Sequence, residues 1–472
     1  MKKLLFFVLS ALMSACSESS LEPVLVHEDE NCTNVLDNQD FVSISQASEV
    51  ASLFMAQNVQ ALDAETRGVP AFDNSKNIES IKTVYGEDKM PSMYVINYEG
   101  GGFVIVSATK NYYPILAYSE TNSIDVEKAK QSGFSIWMDE TNWAIKESDM
   151  QNAETLANMR SMWEAYEILP ATISDATSDH YRDGTMFRER LGELYTLCPG
   201  YSFGPLSSAR SFLSQSDYES LVEKADLYGS PLEFTIVGYK SNNRKVGPLM
   251  NTIWGQEGGY NALCPNEYPA GCVAIAMAQI EKYHEWPRSF DWSSMANDRP
   301  TSASQSLIAM IGKAVNMDYG KDESGASLGD TKRGFEAMGY TVSKRDHDMW
   351  DVESEIFFRG RPVCMAGDRK NFIGITWKGH VWVCDGAEEY GSSCSYFVEY
   401  LVNRSTNPSY SSCGFPSYMG PATSSGSGRI YFHMNWGWSG TGNGWFGGDN
   451  VNPTDDRNYQ YGRENLYVSP LK

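Results

Sequence analysis

The 472-residue sequence predicts an α+β fold in at least two units, on three observations. A strand, a Gly-rich turn and a second strand follow one another over 93–107, and helical stretches flank them. A run of small and apolar residues with high helical propensity begins at Cys272. Five strand-like runs lie between Tyr340 and Met434, which indicates an antiparallel sheet behind a helical part.

Residues 1–16 are predicted to be a signal peptide. Two lysines precede the apolar stretch Leu4 to Met13, which is too short for a membrane span. The stretch ends in Leu-Met-Ser-Ala-Cys and resembles a bacterial lipobox, whose cysteine, here Cys16, becomes the lipidated first residue. Methionine replaces the usual leucine, so cleavage by the ordinary signal peptidase stays an alternative. We therefore expect a protein that is lipid-anchored in the bacterial cell envelope through Cys16, or secreted.

Residues 17–170 are predicted to form the first folded unit. Apolar residues recur with helical spacing from Ile44 to Ala61, and strands are expected at 93–98, 103–107 and 115–118. A mainly helical stretch follows, from about Ser135 to Ile168. A meander flanked by helices makes an α+β unit of ordinary domain size.

Residues 171–245 give a weaker pattern, which we interpret as a linker and activation region leading into the second unit at 246–472. Two stretches in it look helical, Arg188 to Tyr195 and Tyr218 to Leu227. The segment from Ser241 to Lys245 is polar and basic and looks exposed.

Composition excludes one class of function. The formal net charge is −22, which argues against a nucleic-acid partner because phosphate binding needs a basic surface. Nine cysteines occur without a CxxC pair, so no structural zinc site is expected. Cys394 and Cys413 flank one Ser/Gly/Tyr-rich loop and are a candidate disulfide in an oxidising envelope.

Cys272 is the candidate nucleophile. It follows Gly271 and opens the predicted helix, where the helix dipole and unpaired backbone N–H groups favour thiolate over thiol. The alternative is a packed core cysteine, since free cysteine is among the most buried residue types.

His380 is the candidate base among six histidines. It lies in a β-rich run directly after Gly379, which leaves room beside the imidazole. His284 is excluded because twelve residues of helix place it about 18 Å from Cys272. His433, two residues before Asn435, remains a minor contender.

Two amides complete the candidate constellation. The carbonyl of Asn435 can accept a hydrogen bond from the imidazole, and the indole of Trp436 can shield that bond from water. Gln256 can donate its side-chain N–H to an oxyanion, with the backbone N–H of Cys272 as the second donor. Cysteine, histidine, asparagine and an upstream glutamine are the parts of a papain-like thiol protease.

Several blocks resemble the streptopain family of papain-like cysteine peptidases, and the resemblance covers about 245–472 closely. The blocks are 248–256, 260–265, 271–284, Gly379-His380 and 435–438. The resemblance implies an endopeptidase made as a zymogen, in a papain-like fold of a helical part and an antiparallel sheet. Cys272 would be the nucleophile, His380 the general base and acid, Gln256 an oxyanion donor, and Asn435 with Trp436 the support of the histidine.

The resemblance also implies partners. The region 40–170 looks similar to the family's pro-domain, which would act as an intramolecular inhibitor, and the substrates would be proteins or peptides. No cofactor is implied. Ser324, Gly325 and Gly379 are candidates for substrate contact. The chain departs from the family in the length of 170–245 and in an enlarged loop from Ser392 to Gly428.

Two other readings stay open. A catalytically silent lipoprotein could keep this fold and bind or inhibit another protease. A cell-wall amidase or a transglutaminase-like acyl transferase could use the same fold for another reaction.

Overall fold

The computed structural model describes fourteen stretches of the chain. They are residues 40–63, 77–129, 132–167, 186–187, 189–194, 197–198, 201–211, 213–241, 243–370, 376–390, 393–402, 414–425, 429–448 and 463–471. The predicted signal peptide with Cys16, and Cys413 of the candidate disulfide, lie outside them. Among the described residues, no helix is both long and apolar enough to cross a membrane.

The first unit is the predicted meander between helices. Its elements are α1 (Ile44–Asp63), β1 (Ile78–Tyr85), β2 (Pro91–Tyr98), β3 (Phe103–Ser107), β4 (Ile115–Ser119), α2 (Val126–Ala129), α3 (Phe134–Ser148) and α4 (Ala153–Glu167). The three predicted strands are confirmed. Strand β1 was missed because most of its residues are exposed and carry little apolar signal.

The next elements lie between residues 202 and 359. They are β5 (Ser202–Pro205), a 3-10 helix (Leu206–Ser211), α5 (Gln215–Tyr228), β6 (Ile236–Ser241), β7 (Arg244–Val246), α6 (Cys272–His284), α7 (Ser302–Ala314), β8 (Asp318–Tyr319), β9 (Ser324–Gly325), α8 (Leu328–Ala337), β10 (Tyr340–Asp346) and α9 (Met349–Arg359). The helix expected at Cys272 is confirmed from its first residue.

The last elements are strands. They are β11 (Val363–Lys370), β12 (Thr376–Tyr390), β13 (Ser393–Val402), β14 (Gly414–Ser425), β15 (Arg429–Asn435), β16 (Gly444–Gly447) and β17 (Glu464–Pro470). Every pairing among the described strands is antiparallel, as expected for the second unit.

One eleven-stranded sheet joins the two units. Its strand order is β1-β2-β3-β4-β16-β15-β12-β11-β17-β10, and β7 pairs with β12 beside this path. The junction is the pair β4–β16, with Tyr118 opposite Trp445 and Ala117 opposite Phe446. The backbone of the first unit therefore caps an edge strand of the second.

The second unit's part of this sheet separates two cores. Val381 and Val383 pack in the core that contains the apolar residues of α6, α7 and α8. Trp382 and Cys384 pack in the core on the other face, together with Phe134 and its neighbours on α3. The helical part and the first unit thus press on opposite faces of the same strand.

A second sheet uses the segment predicted as linker. Its order is β14-β13-β6-β5, so two strands come from 202–241 and two from the predicted enlarged loop. Residues 186–187 and 189–194 are helical, and α5 covers the other predicted helix. We call residues 186–241 and 393–425 together the accessory domain. The structure therefore differs from the expected linker because strand pairing across 150 residues leaves no local signature.

Candidate active site

The candidate nucleophile opens helix α6. Gly271 precedes it with φ of 87°, a conformation that L side chains rarely adopt. A Cβ added there would lie 2.9 Å from Met317 Sδ and 2.9 Å from the Ser324 carbonyl oxygen. Glycine is therefore required before Cys272 for both conformation and space.

The Cys272 thiol is half-buried between α6 and β12. Burial raises the pKa of this thiol, while hydrogen bonds from the backbone N–H groups of Val381, Val273 and Cys272 lower it. The carboxylate of Glu323 opposes them and raises it. The helix start favours thiolate as the sequence predicted, but burial outweighs it, and the net shift of the pKa is upward.

Gln256 lies in a short segment held close to the nucleophile. Its backbone oxygen accepts a hydrogen bond from Ala270 N–H at 2.9 Å, two residues before Cys272. Gly255 forms a β-bridge with Trp438, and Ser439 N–H donates to the Trp254 oxygen at 3.2 Å. Gln256 is 8% exposed, so its amide is well shielded from solvent. The backbone thus holds Gln256 next to the residues that lead into α6, and its role as an oxyanion donor stays a prediction.

Asn435 ends strand β15 in a buried amide network. Its Oδ1 accepts from Gln279 Nε2, and its Nδ2 donates to Gln279 Oε1, both at 3.2 Å. Nδ2 also donates to the Thr252 oxygen at 2.7 Å, and Gly437 N–H donates to Oδ1 at 3.2 Å. These bonds direct the amide to α6 and its flanking loops, and support of His380 by Asn435 stays a prediction.

Gln279 is the residue that sequence reasoning missed. It is fully buried on α6, two turns after Cys272, and its Oε1 also accepts the backbone N–H of Trp254 at 3.2 Å. One side chain therefore ties the nucleophile helix to the Gln256 segment and to Asn435. The available signal was a glutamine inside an otherwise apolar helical run, which must find partners when buried.

His380 lies on β12 opposite Gly367, one residue before the N–H that contacts the thiol. Side chains alternate along a strand, and Val381 packs toward α6 while Trp382 packs toward α3. Alternation groups His380 with Trp382, on the face of the first unit. The strand therefore brings the backbone beside Cys272 while the imidazole belongs to the opposite face in this conformation.

Trp436 lies where the first unit meets the candidate site. Its Nε1 donates to the Gly442 oxygen at 3.0 Å, and its ring is 5.5 Å from the ring of Trp382. A Cβ added at Gly133, which precedes α3, would lie 2.5 Å from Trp382 and 2.9 Å from Trp436. The first unit thus packs directly on the indoles of Trp382 and Trp436, which lie close in sequence to His380 and Asn435.

The candidate substrate residues flank the nucleophile. Ser324 and Gly325 form β9, and the Ser324 oxygen lies beside Gly271. Ser324 is buried and Gly325 is exposed, so the loop presents backbone next to Cys272. Gly379 is exposed next to His380. Contact of these residues with substrate stays a prediction.

His433, the alternative candidate for the base, contacts Asp385 and Trp445. Its Nδ1 lies 2.6 Å from Asp385 Oδ1, and its ring packs edge-on against Trp445. Asp385 Oδ2 also accepts from Met250 N–H at 3.0 Å. This buried pair fastens the segment before α6 to the sheet.

His284 has a pKa lowered to about 4 by burial, which keeps its ring neutral.

Two family models match the chain. Residues 39–145 match "Spi protease inhibitor", and residues 254–294 and 288–446 match "Peptidase C10 family". The first match covers the meander unit up to residue 145, and the second contains Gln256, Cys272, His380 and Asn435. An inhibitor-like unit therefore precedes a cysteine-peptidase-like unit.

Curated relatives match both units together. Streptopain of Streptococcus pyogenes serotype M28 (strain MGAS6180) is 22% identical over 468 residues, covering 89% of this chain and 88% of its own. Streptopain of serotype M1 gives the same identity and coverage.

Two solved structures are also similar. One is a fragment of Prevotella intermedia prointerpain A, with 17% identity and a TM-score of 0.44, covering 84% of this chain and 99% of its own. The other is active interpain A cysteine protease of the same species, with 21% identity and a TM-score of 0.33, covering 47% and 94%.

Replacing Gln279 by leucine is expected to destabilise the fold. The change removes two hydrogen bonds from the buried Asn435 amide and leaves the N–H of Trp254 without its partner. An unpaired buried group costs about 1–3 kcal/mol and a lost hydrogen bond about 0.5–1.5 kcal/mol, so we expect a loss of about 2–5 kcal/mol in the free energy of unfolding. Urea denaturation of Gln279→Leu in a Cys272→Ala background measures it without self-cleavage.

The matched control is Gln305→Leu on α7, since the Gln305 amide makes one bond, to the Gly259 oxygen, in a half-buried position. We expect a smaller loss there. Equal stability of Gln279→Leu and the parent would contradict the network.

In the full-length protein, the Cys272 thiol is expected to alkylate slowly at neutral pH. Its pKa is raised, so the thiolate fraction grows only as the pH climbs past the ordinary thiol range. Iodoacetamide labelling from pH 6 to 10, followed by peptide mapping, gives a rate for Cys272 alone. Cys364 is fully buried with a raised pKa and serves as the unreactive control. A Cys272 rate that already plateaus below pH 7 would refute this.

Proposed function

We propose that this protein is an endopeptidase made as a zymogen, because both of its units resemble those of the streptopain family of papain-like cysteine peptidases. Its substrates would be proteins or peptides. One observation carries the proposal: Cys272 opens a buried helix, and this helix packs against β12, the strand that bears His380.

The proposed reaction is thiolate attack on a peptide carbonyl. The Cys272 sulfur bonds to the carbonyl carbon, and the Gln256 amide with the Cys272 backbone N–H stabilises the oxyanion. His380 protonates the leaving amine, which departs and leaves an acyl-enzyme. His380 then takes a proton from water, whose oxygen attacks the acyl carbon and releases the thiolate. The reaction requires no metal or organic cofactor.

The first unit, which resembles a protease inhibitor, would hold the enzyme inactive. It is bonded to the second unit through β4–β16, and an ion pair of 3.0 Å joins Glu140 of α3 to Arg463. Gly133 and Phe134 press on Trp436, and alternation groups His380 on the same face. We infer that removal of this unit frees β12 to bring the imidazole to the thiol.

We expect the purified chain (residues 17–472) to shorten and gain caseinolytic activity under reducing conditions. Cys272→Ala removes the nucleophile, so both changes should vanish while the fold persists. His380→Ala should also lose them, with a drop in kcat of at least about 100-fold, the usual contribution of general acid–base catalysis. Intact mass and casein cleavage are followed together.

Cys198→Ser is the matched control, since that half-buried thiol lies outside the candidate site, and it should mature normally. Processing that persists in purified Cys272→Ala would refute the assignment of Cys272 as the nucleophile. A stable, inactive chain that also resists a thiol-directed inhibitor would instead favour a silent binding or inhibitor protein.

We also propose that the chain is lipid-anchored at Cys16 in the bacterial cell envelope; secretion after ordinary cleavage is the alternative. The lipobox-like ending of the apolar stretch supports this. Expression with a labelled fatty acid should mark the wild-type chain, and Cys16→Ser should lose the label and leave the membrane fraction. Unlabelled wild-type protein in the medium would contradict the anchor.

A further inference from the structure

The accessory domain is assembled from two stretches that lie far apart in the chain. Strand β6 pairs with β13 over six residues, from Cys394 opposite Ser241 to Glu399 opposite Ile236. Strand β5 adds to β6, and β14 adds to β13. The two inner strands of this sheet therefore come from different stretches, and neither stretch makes the sheet alone.

Both faces of this sheet carry an apolar core. On one face, residues of α5 and of the 3-10 helix pack with β13; they include Leu206, Leu221, Val237, Tyr396 and Val398. On the other face, Phe187 and Leu194 of the preceding helical residues pack with Phe397 and Leu401. Each core takes residues from before and after the candidate catalytic cysteine. Removing the earlier stretch would uncover both faces of β13.

Polar contacts also depend on the earlier stretch. The guanidinium of Arg190 donates two hydrogen bonds to the Glu399 carboxylate, at 2.8 and 2.9 Å. The Glu399 side chain is only 7% exposed. Leu401 N–H donates to Ser230 Oγ at 3.0 Å in a buried setting. Loss of residues 186–241 would remove these hydrogen bonds together with the two cores.

The polar segment at 241–245 is poorly placed for the activating cut. Lys245 lies in β7, which is hydrogen-bonded to β12, and its ammonium lies 4.3 Å above the Trp445 ring. It also forms ion pairs with Glu388 at 3.6 Å and Glu120 at 3.5 Å. A protease cleft needs an extended segment free of such pairing.

We propose that the accessory domain belongs to the mature enzyme, with the activating cut N-terminal to Met186 rather than in the polar segment 241–245. The proposal rests on the zymogen function proposed above. Helix α4 of the first unit also packs on the 3-10 helix Leu206–Ser211, so that contact is given up on maturation. The strand pairing and both cores stay whole.

N-terminal sequencing of the matured protein tests the position of the cut. We expect the mature chain to begin at or before Met186 and to run on to the C-terminal region. A mature chain that begins anywhere from 187 to 246 would overturn the proposal, even if the shorter fragment stays bound.

A second experiment works without peptidase activity. In Cys272→Ala, recognition sites for an unrelated site-specific protease are inserted at 176–180 and at 242–243, singly and together. Cleavage at both sites cuts the chain on either side of 186–241. We expect this piece still to co-elute with the C-terminal chain on size exclusion. Its elution as a free peptide would overturn the proposal. The single-site chains show that each insertion is tolerated.

The two experiments separate the possible failures. A wild-type chain that neither matures nor reacts with a thiol-directed inhibitor disproves the zymogen function, while the double-cut chain still tests the accessory domain. A chain that matures with its N-terminus after Met186 disproves only the accessory-domain proposal.

Discussion

The packing of strand β12 between two cores is the constraint on which the rest of the structure depends. One face bears Val381 and Val383 against the nucleophile helix, and the other bears Trp382 and Cys384 against α3 of the first unit. Its edges pair with β11, β15 and β7. Such a strand is rigid because every displacement disturbs close packing on both faces. A rigid β12 gives the nucleophile helix a fixed surface to pack on.

Under the proposed zymogen function, the same strand would connect inhibition to chemistry. The inhibitor-like unit does not need to reach the thiol, because it holds the far face of β12 through Trp382 and the adjoining Trp436. His380 lies at the end of this regular stretch, so its ring position depends on what packs on that face. The second stretch of the accessory domain begins shortly after β12 ends, with β13. Elements that are distant in sequence therefore act on the site through one strand.

Local sequence patterns predicted what depends on local interactions. The helix at Cys272, the meander at 93–118 and the strand around His380 all carry strong periodicity or composition, and all three appear in the structure. The family blocks around Gln256, Cys272, His380 and Asn435 were equally visible, and the segment 254–256 and the start of α6 do lie side by side.

Long-range strand pairing accounts for the parts of the structure that the sequence did not predict. The accessory domain was interpreted as a linker plus a loop, because β6 finds its partner only 150 residues later. Strand β17 closes the sheet between β11 and β10 from the far end of the chain. Gln279 gave no sign of its two partners, Trp254 and Asn435, since the partners of a buried amide are brought to it only by the fold.

The thiol shows how local and tertiary effects compete at one atom. Its place at a helix start and its three N–H contacts favour the charged form, as the sequence predicted, but burial opposes charge more strongly. The pKa of the Cys272 thiol therefore stays raised in the full-length chain despite the N–H groups. A cation beside the sulfur would favour the thiolate, and under the proposed function His380 would supply that cation. Activation would then consist of bringing this imidazole to the Cys272 thiol.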